Sequence, residues 1–344
     1  MSGKNISAIP YSILDLATIA HNRTTADAFH DSLKVAQRAE TLGYKRYWLA
    51  EHHNSVSVGS AATSVLIGYI AQGTKSIRVG SGGIMLPNHS PYIIAEQFGT
   101  LATLYPDRID LGLGRAPGTD QLTAQAIGRQ NFRVQDFPND IVKLQNYFSE
   151  ENSTAKVRAI PGEGLNVPLW ILGSSLDSAK LAASMGLPYA FASHFSPFYF
   201  MQAIDLYRKS FKPSAQLSAP YVIACVNVVA ADSDKEASYL LTSLLQMFLG
   251  VVTGKMKTLQ PPVSTMDMLW DEDQENAVLS MLTYSFVGGT EKIKSELQSF
   301  LRQSGVNEIM ITTHIYDPAA RLKSYELFAS IMQENELVPV ASPH

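Results

Sequence analysis

The sequence predicts an α/β fold, a (β/α)8 or TIM barrel with an extended insertion between strands 7 and 8. Two observations predict it. Eight nearly continuous apolar runs alternate with helical segments, the pattern of buried parallel strands, and eight is the number that closes a ring. Several runs also end in glycines or ionisable residues at their C-terminal side, over 48–54, 77–83, 109–115, 169–175 and 189–194. Buried strands rarely finish this way unless their ends open onto a site.

Residues 9–16 read as the first strand. Thr24-Thr25-Ala26-Asp27 then has the form of a capping box, opening a helix with Phe29, Leu33 and Ala36 on one face, and Gly43 stops it. Strand two covers 44–50, an apolar helix 61–72, strand three 77–79, and a helix with proline at its start 91–104. Strand four is 108–113. After a polar segment come a helix over 136–148, strand five over 167–172 and a helix over 175–185. Strand six is 189–192, a helix follows over 199–211, and 221–231 is a long β-branched seventh strand leading to a helix over 232–249. Strand eight is 308–312. Two segments exceed the repeat: 116–135, and 250–287 with Gly254, Pro261, Pro262 and several methionines, which is a candidate lid. Residues 1–344 are read as a single domain.

A doubly wound open sheet is the rival fold. It normally carries a glycine fingerprint after its first strand, and 13–20 has none. Gly80-Ser81-Gly82-Gly83 and Gly112-Leu113-Gly114-Arg115-Ala116-Pro117 both lack the third glycine of the dinucleotide pattern.

Composition narrows the function. With 46% hydrophobic and 17% charged residues, the chain has the balance of a globular enzyme with a large core. A net charge of -4 without any run of Lys and Arg argues against nucleic acid or an anionic membrane as main partner. No apolar run approaches the roughly 20 residues of a membrane span. Cys225 is the single cysteine, so no intrachain disulfide and no cysteine-based zinc site is possible. Residues 1–10 lack the apolar core of a signal peptide, and a cytoplasmic location is expected.

The strand ends supply the chemistry. Glu51, His52 and His53 follow strand two; consecutive extended residues point oppositely, so one imidazole faces the barrel mouth and the other packs or is solvated. No metal is expected, because no three or four convergent ligands are evident and no His-Glu-x-x-His helix exists. Gly82 and Gly83 are either an ordinary turn or a place where backbone passes close to a flat ligand. The guanidinium of Arg115 suits a phosphate or carboxylate. Ser174, Ser175 and Ser178 open a helix, either as a phosphate cradle or as plain caps. Ser193, His194, Asn227 and His314 complete the polar strand ends.

Taken together, the chain resembles the bacterial luciferase-like monooxygenase family of flavin-dependent barrel oxidoreductases. The match runs through Tyr47-Trp48-Leu49-Ala50-Glu51-His52-His53, the stretch 78–91, Glu96-Gln97 and Asp107-Arg108-Ile109-Asp110-Leu111-Gly112-Leu113-Gly114-Arg115, and more loosely through 170–182 and the last strand. The resemblance implies a non-proline cis bond at Gly82–Gly83 supporting a flavin ring, His52 as acid or base beside it with Glu51, and phosphate contacts at Arg115 and Ser175. It also implies homodimerisation through helices 61–72 and 91–104. Reduced FMN would serve as cosubstrate with O2 on a small aldehyde or ketone. No nicotinamide fingerprint is visible, so a separate flavin reductase is the expected FMNH2 donor. Gly114 and Ser174 depart from the light-emitting subunit of bacterial luciferase, and light emission is not expected. The alternatives are a deazaflavin-dependent hydride-transfer enzyme on the same fold and a non-catalytic flavin-binding protein.

Overall fold

The structure is a computed structural model and describes residues 6–116, 118–128 and 134–334. The chain runs β1 (Tyr11–Asp15), α1 (Thr25–Thr41), β2 (Arg46–Leu49), α2 (Thr63–Gln72), β3 (Arg78–Met85), α3 (Pro91–Leu104) and β4 (Ile109–Gly114). It continues through α4 (Gln121–Ala126), α5 (Phe137–Phe148), β5 (Leu169–Gly173), α6 (Leu176–Met185), β6 (Tyr189–Phe191) and α7 (Phe200–Ser210). The last part is β7 (Val222–Ala230), α8 (Asp234–Thr253), α9 (Glu272–Met281), β8 (Ser285–Gly288), α10 (Thr290–Ser304), β9 (Glu308–Thr312) and α11 (Pro318–Gln333).

Eight parallel strands close a ring in the order β6-β5-β4-β3-β2-β1-β9-β7, completed by β6 against β7. The predicted barrel is therefore present, with strand eight as β9. A ninth strand, β8, lies outside the ring. It pairs with the upper half of β7, from Asn227 opposite Ser285 to Ala230 opposite Gly288. The sequence prediction misses β8 because four residues give too short a pattern to stand out beside turn residues. It also misses α10, which starts from Gly289 without a side-chain cap, and α11, although Asp317 before Pro318 is a start signal.

Local chemistry sets the boundaries. The predicted capping box forms: Thr24 Oγ1 accepts from Asp27 N at 3.1 Å, and Asp27 Oδ2 accepts from Thr24 N at 2.8 Å. Gly43 follows with φ of 77°, where glycine has no Cβ penalty. β3 extends to Met85, beyond the predicted 77–79, because its glycines are forced by packing. A Cβ on Gly80 would lie 2.5 Å from Asp110 O, and one on Gly82 2.6 Å from Leu14 Cδ1 and 3.2 Å from Trp48 Cβ. Tertiary contact overrides the weak strand preference of glycine.

Strand alternation sorts the side chains. Leu14, Trp48, Ala50, Trp170, Ala190, Ile223, Cys225 and Met310 form one buried cluster, the filling of the barrel. Residues of opposite parity, such as Ile13, Tyr47, Leu49, Val79, Leu111 and Ile171, join the larger core against the helices. Trp48 and Trp170 meet edge to face at 5.2 Å.

Beneath them, a buried ion network plugs the N-terminal end. The Arg46 guanidinium bonds Glu308 at 2.7 and 3.1 Å and Asp110 at 2.7 Å, and its carbon lies 4.6 Å from the Trp170 ring. Arg78 and the Trp48 indole N–H also donate to Asp110, and Ser12 and Tyr221 donate to Glu308. Lys45 Nζ also lies 3.7 Å from Glu308, so three cations face two carboxylates.

The insertion after α8 is ordered. Its residues Met266, Val278 and Leu282 pack with Leu244, Leu245 and Phe248 of α8 as a small separate core. The 20-residue α8 is long and apolar enough to cross a membrane by length and composition, and here it packs against β7, β8 and α9. The segment is also strapped to the loop after β1, where Leu259 N donates to Ile19 O at 2.9 Å and His21 N to Leu259 O at 2.8 Å.

Candidate active site

The same parity that fills the barrel decides which strand-end residues face its mouth. His52 continues the inward series Trp48, Ala50; Asn227 continues Ile223, Cys225; Thr312 and His314 continue Met310. Of the two adjacent histidines, His52 is thus the inward one. It is half-buried, and burial lowers its pKa below the usual value, against the pull of Glu51.

His53 turns the other way, onto Glu51. The Glu51 carboxylate is 0% exposed; its Oε1 accepts from His53 Nε2 and His89 Nε2, both at 2.8 Å, and its Oε2 from Met85 N at 3.0 Å. Burial would raise its pKa, but His89, His53 and the Met85 amide outweigh burial and hold it below the usual range. An ionised carboxylate only accepts, so both imidazoles carry their proton on Nε2. Glu51 therefore ties the end of β2 to the end of β3. These bonds hold the carboxylate in one place. His89 is a partner the sequence reading does not single out, although it lies within the matched stretch 78–91. The ligand atoms of Glu51, His53 and His89 lie within 4.8 Å of one another, the spacing of a metal trio, where none was expected.

The Gly82–Gly83 peptide bond is cis. What crowds a Cβ at Gly82 is Leu14 and Trp48, and at Gly83 it is the Gly112 carbonyl at 2.7 Å, so the protein alone already demands both glycines.

At the ends of β4 and β5, Ser175 caps α6: its Oγ accepts from Ser178 N at 3.3 Å. The cap that the sequence offers at Ser175 is therefore formed, with Ser178 completing a capping box. Ser178 is buried, with its hydroxyl on Ser175 O at 2.8 Å and on Tyr189 Oη at 2.9 Å, so it supports the cap. Arg115 comes near enough to act on the Tyr189 hydroxyl, and no acid pairs with it among the described residues. Residue 117 and residues 129–133 of the predicted excess segment lie outside the described residues.

A third group lies on β6, β7 and β9. Burial lowers the pKa of His194 to about 3, helped by His314 and His52, and that of His314 to about 4, helped by Arg321. His314 bridges Thr18 Oγ1 at 3.2 Å and Thr312 Oγ1 at 3.1 Å. The buried atoms His194 Nδ1 and Asn227 Oδ1 have no hydrogen-bond partner among the described residues. A cavity of about 230 Å3, lined by Arg23, Asp31, Lys34, His314 and Arg321 among others, lies between α1 and α11, and neither Arg115 nor His52 lines it.

These buried neutral imidazoles make stability fall in acid. The folded pKa lies below the unfolded one, so the unfolded chain binds protons first as pH drops, and stability is lost between about pH 6.5 and 4. For His314 the full loss is about 3 kcal/mol. Denaturant midpoints measured from pH 8 to pH 4 are expected to hold above pH 7 and then fall. In His314→Asn that descent should shrink; an unchanged descent would exclude this origin.

The residues present fit a flavin phosphate and ring. Arg115 supplies an unneutralised guanidinium beside the start of α6, where helix amides favour an anion. The unpaired His194 Nδ1 supplies a polar partner within the mouth.

Comparison with known proteins agrees. Residues 9–308 match the luciferase-like monooxygenase family. A luciferase-like monooxygenase of Escherichia coli (strain K12) is 50% identical over 327 residues, 95% of this chain and 98% of the relative. Apo-MsnO8 superposes with a TM-score of 0.84 at 31% identity, covering 94% of this chain and 98% of that one. The oxygenating constituent of 3,6-diketocamphane monooxygenase from Pseudomonas putida, in complex with FMN, gives 0.72 at 16%, covering 95% and 98%. An F420-dependent secondary alcohol dehydrogenase gives 0.70 at 15%, covering 95% and 99%; these last two likenesses concern the fold alone. With a closed parallel barrel, inward His52 and the family match spanning most of the chain, the protein belongs to the luciferase-like monooxygenase family and is an oxidoreductase.

Proposed function

We propose that the protein is the oxygenating component of a two-component flavin-dependent monooxygenase, acting on a small organic substrate with FMNH2 delivered by a separate reductase. The observation that carries this reading is Arg115 beside Tyr189 and the cap of α6, without an acid to neutralise it among the described residues. Bound reduced FMN would supply the electrons that activate O2. Arg115, Ser174 and Ser175 would hold its phosphate, and Gly82 and Gly83 would back its ring. His52 would move a proton at its ring nitrogen, while Glu51 keeps β2 and β3 in place. The 254–271 strap and the apolar barrel filling would keep water away.

Arg115→Ala is expected to raise the Kd for FMN by about 10- to 150-fold, since hydrogen bonds to a charged group contribute about 1.5–3 kcal/mol. Fluorescence titration of FMN reads it, and an unchanged Kd would place the phosphate elsewhere. The deazaflavin alternative uses the same cradle, and an F420-dependent neighbour has the same fold. Parallel titration with F420 decides between them.

We read residues 1–344 as a single domain of a cytoplasmic homodimer. Support for dimerisation comes from Val65 on α2 and from Ile93 and Leu104 on α3, apolar residues exposed on the two expected helices. Sedimentation at micromolar concentration would show a monomer if this is wrong.

A further inference from the structure

We propose that the side-chain amide of Asn227 is a specificity group that selects ligands carrying an N–H or O–H donor. The inference rests on the barrel mouth being the active site and narrows its substrate class.

Asn227 is 1% exposed, and its parity with Ile223 and Cys225 points it into the barrel at the upper layer. Its Nδ2 donates to His194 O at 2.6 Å and to Ser285 Oγ at 3.2 Å. Flipping the amide would set a carbonyl oxygen against the His194 carbonyl, so its orientation is fixed by chemistry. Both amide protons are thereby engaged, and Oδ1 is left as a buried acceptor without a donor. Such an atom has given up water without compensation and is stabilised by any donor that reaches it. Three strands hold it in this state: β7 carries it, the turn after β6 and β8 orient it. His194 Nδ1 nearby is likewise buried and unpartnered.

The unpaired acceptor revises the expected substrate. A simple aldehyde or ketone brings only an acceptor and leaves Oδ1 unpaired. A ligand with a secondary amide or hydroxyl beside its reacting group pairs with Oδ1. Sites built to hydrogen-bond a ligand donor reject analogues lacking it far more strongly than apolar pockets reject a missing methylene.

The test uses N-propylacetamide and its N–H-free counterpart N-methyl-N-propylacetamide. Both are titrated by calorimetry into the wild type and Asn227→Leu, with and without FMN. The wild type is expected to bind the N–H probe at least tenfold more tightly, and the leucine variant to bind both equally, with FMN affinity unchanged. Equal binding in the wild type, no binding of either probe up to its solubility limit, or a preference that survives in Asn227→Leu overturns the proposal. A tenfold loss of FMN affinity in Asn227→Leu also overturns it, by assigning Oδ1 to the cofactor. Should the variant not fold by circular dichroism, the wild-type comparison alone decides. Failure of FMN to bind the wild type refutes the proposed function, while the probe pair in FMN-free protein still tests Asn227.

Discussion

Replacing His52 with alanine is expected to lower kcat by about 10²- to 10⁴-fold while leaving FMN affinity within about threefold, the range for loss of a general acid or base. The imidazole follows Trp48 and Ala50 on the inward face, so alanine removes the ring without opening the core. The loop that carries it is held independently by the bond from His52 N to Ser60 O at 3.2 Å. Burial lowers the ring's pKa and keeps it neutral at pH 7, ready to accept a proton, so activity should hold through the pH range where a free imidazole titrates and fall only at more acid pH. His53→Ala is the internal control, because that ring lies on Glu51. Substrate-dependent O2 consumption with FMNH2 supplied in excess measures both; a His52→Ala enzyme with wild-type kcat removes the residue from the mechanism.

Arg46→Ala is expected to cost about 3–5 kcal/mol of stability, because it takes from buried Glu308 its forked partner and leaves Asp110 to Arg78 alone. Arg46→Lys should recover only part, since one ammonium cannot fork between two carboxylates and lie flat on Trp170. Guanidinium unfolding midpoints compare the three proteins. A midpoint for Arg46→Ala within error of wild type would show that water reaches the network and relieves it.

The barrel was legible in the sequence because buried parallel strands leave continuous apolar runs, such as 221–231 and 308–312. Where glycine replaces apolar residues the pattern breaks, as at β3, although the strand continues because Leu14 and Trp48 occupy the space of the missing side chains. His52 and Arg115 were legible as polar strand ends. The choice between His52 and His53 needed parity against Trp48 and Ala50. Glu51 could be found but not its role, since His89 and Met85 reach it from another loop. Asn227 was legible as a polar strand end but its unpaired oxygen was not, because that is a property of its neighbours.

The insertion is fastened twice: β8 hangs from the upper half of β7, and Leu259 is stitched to the turn after β1. A span pinned at both abutments cannot swing on one hinge; it can only bow between them. Grafting residues 260–271 from a relative, between those two fixed ends, is therefore expected to leave the closed ring of strands intact.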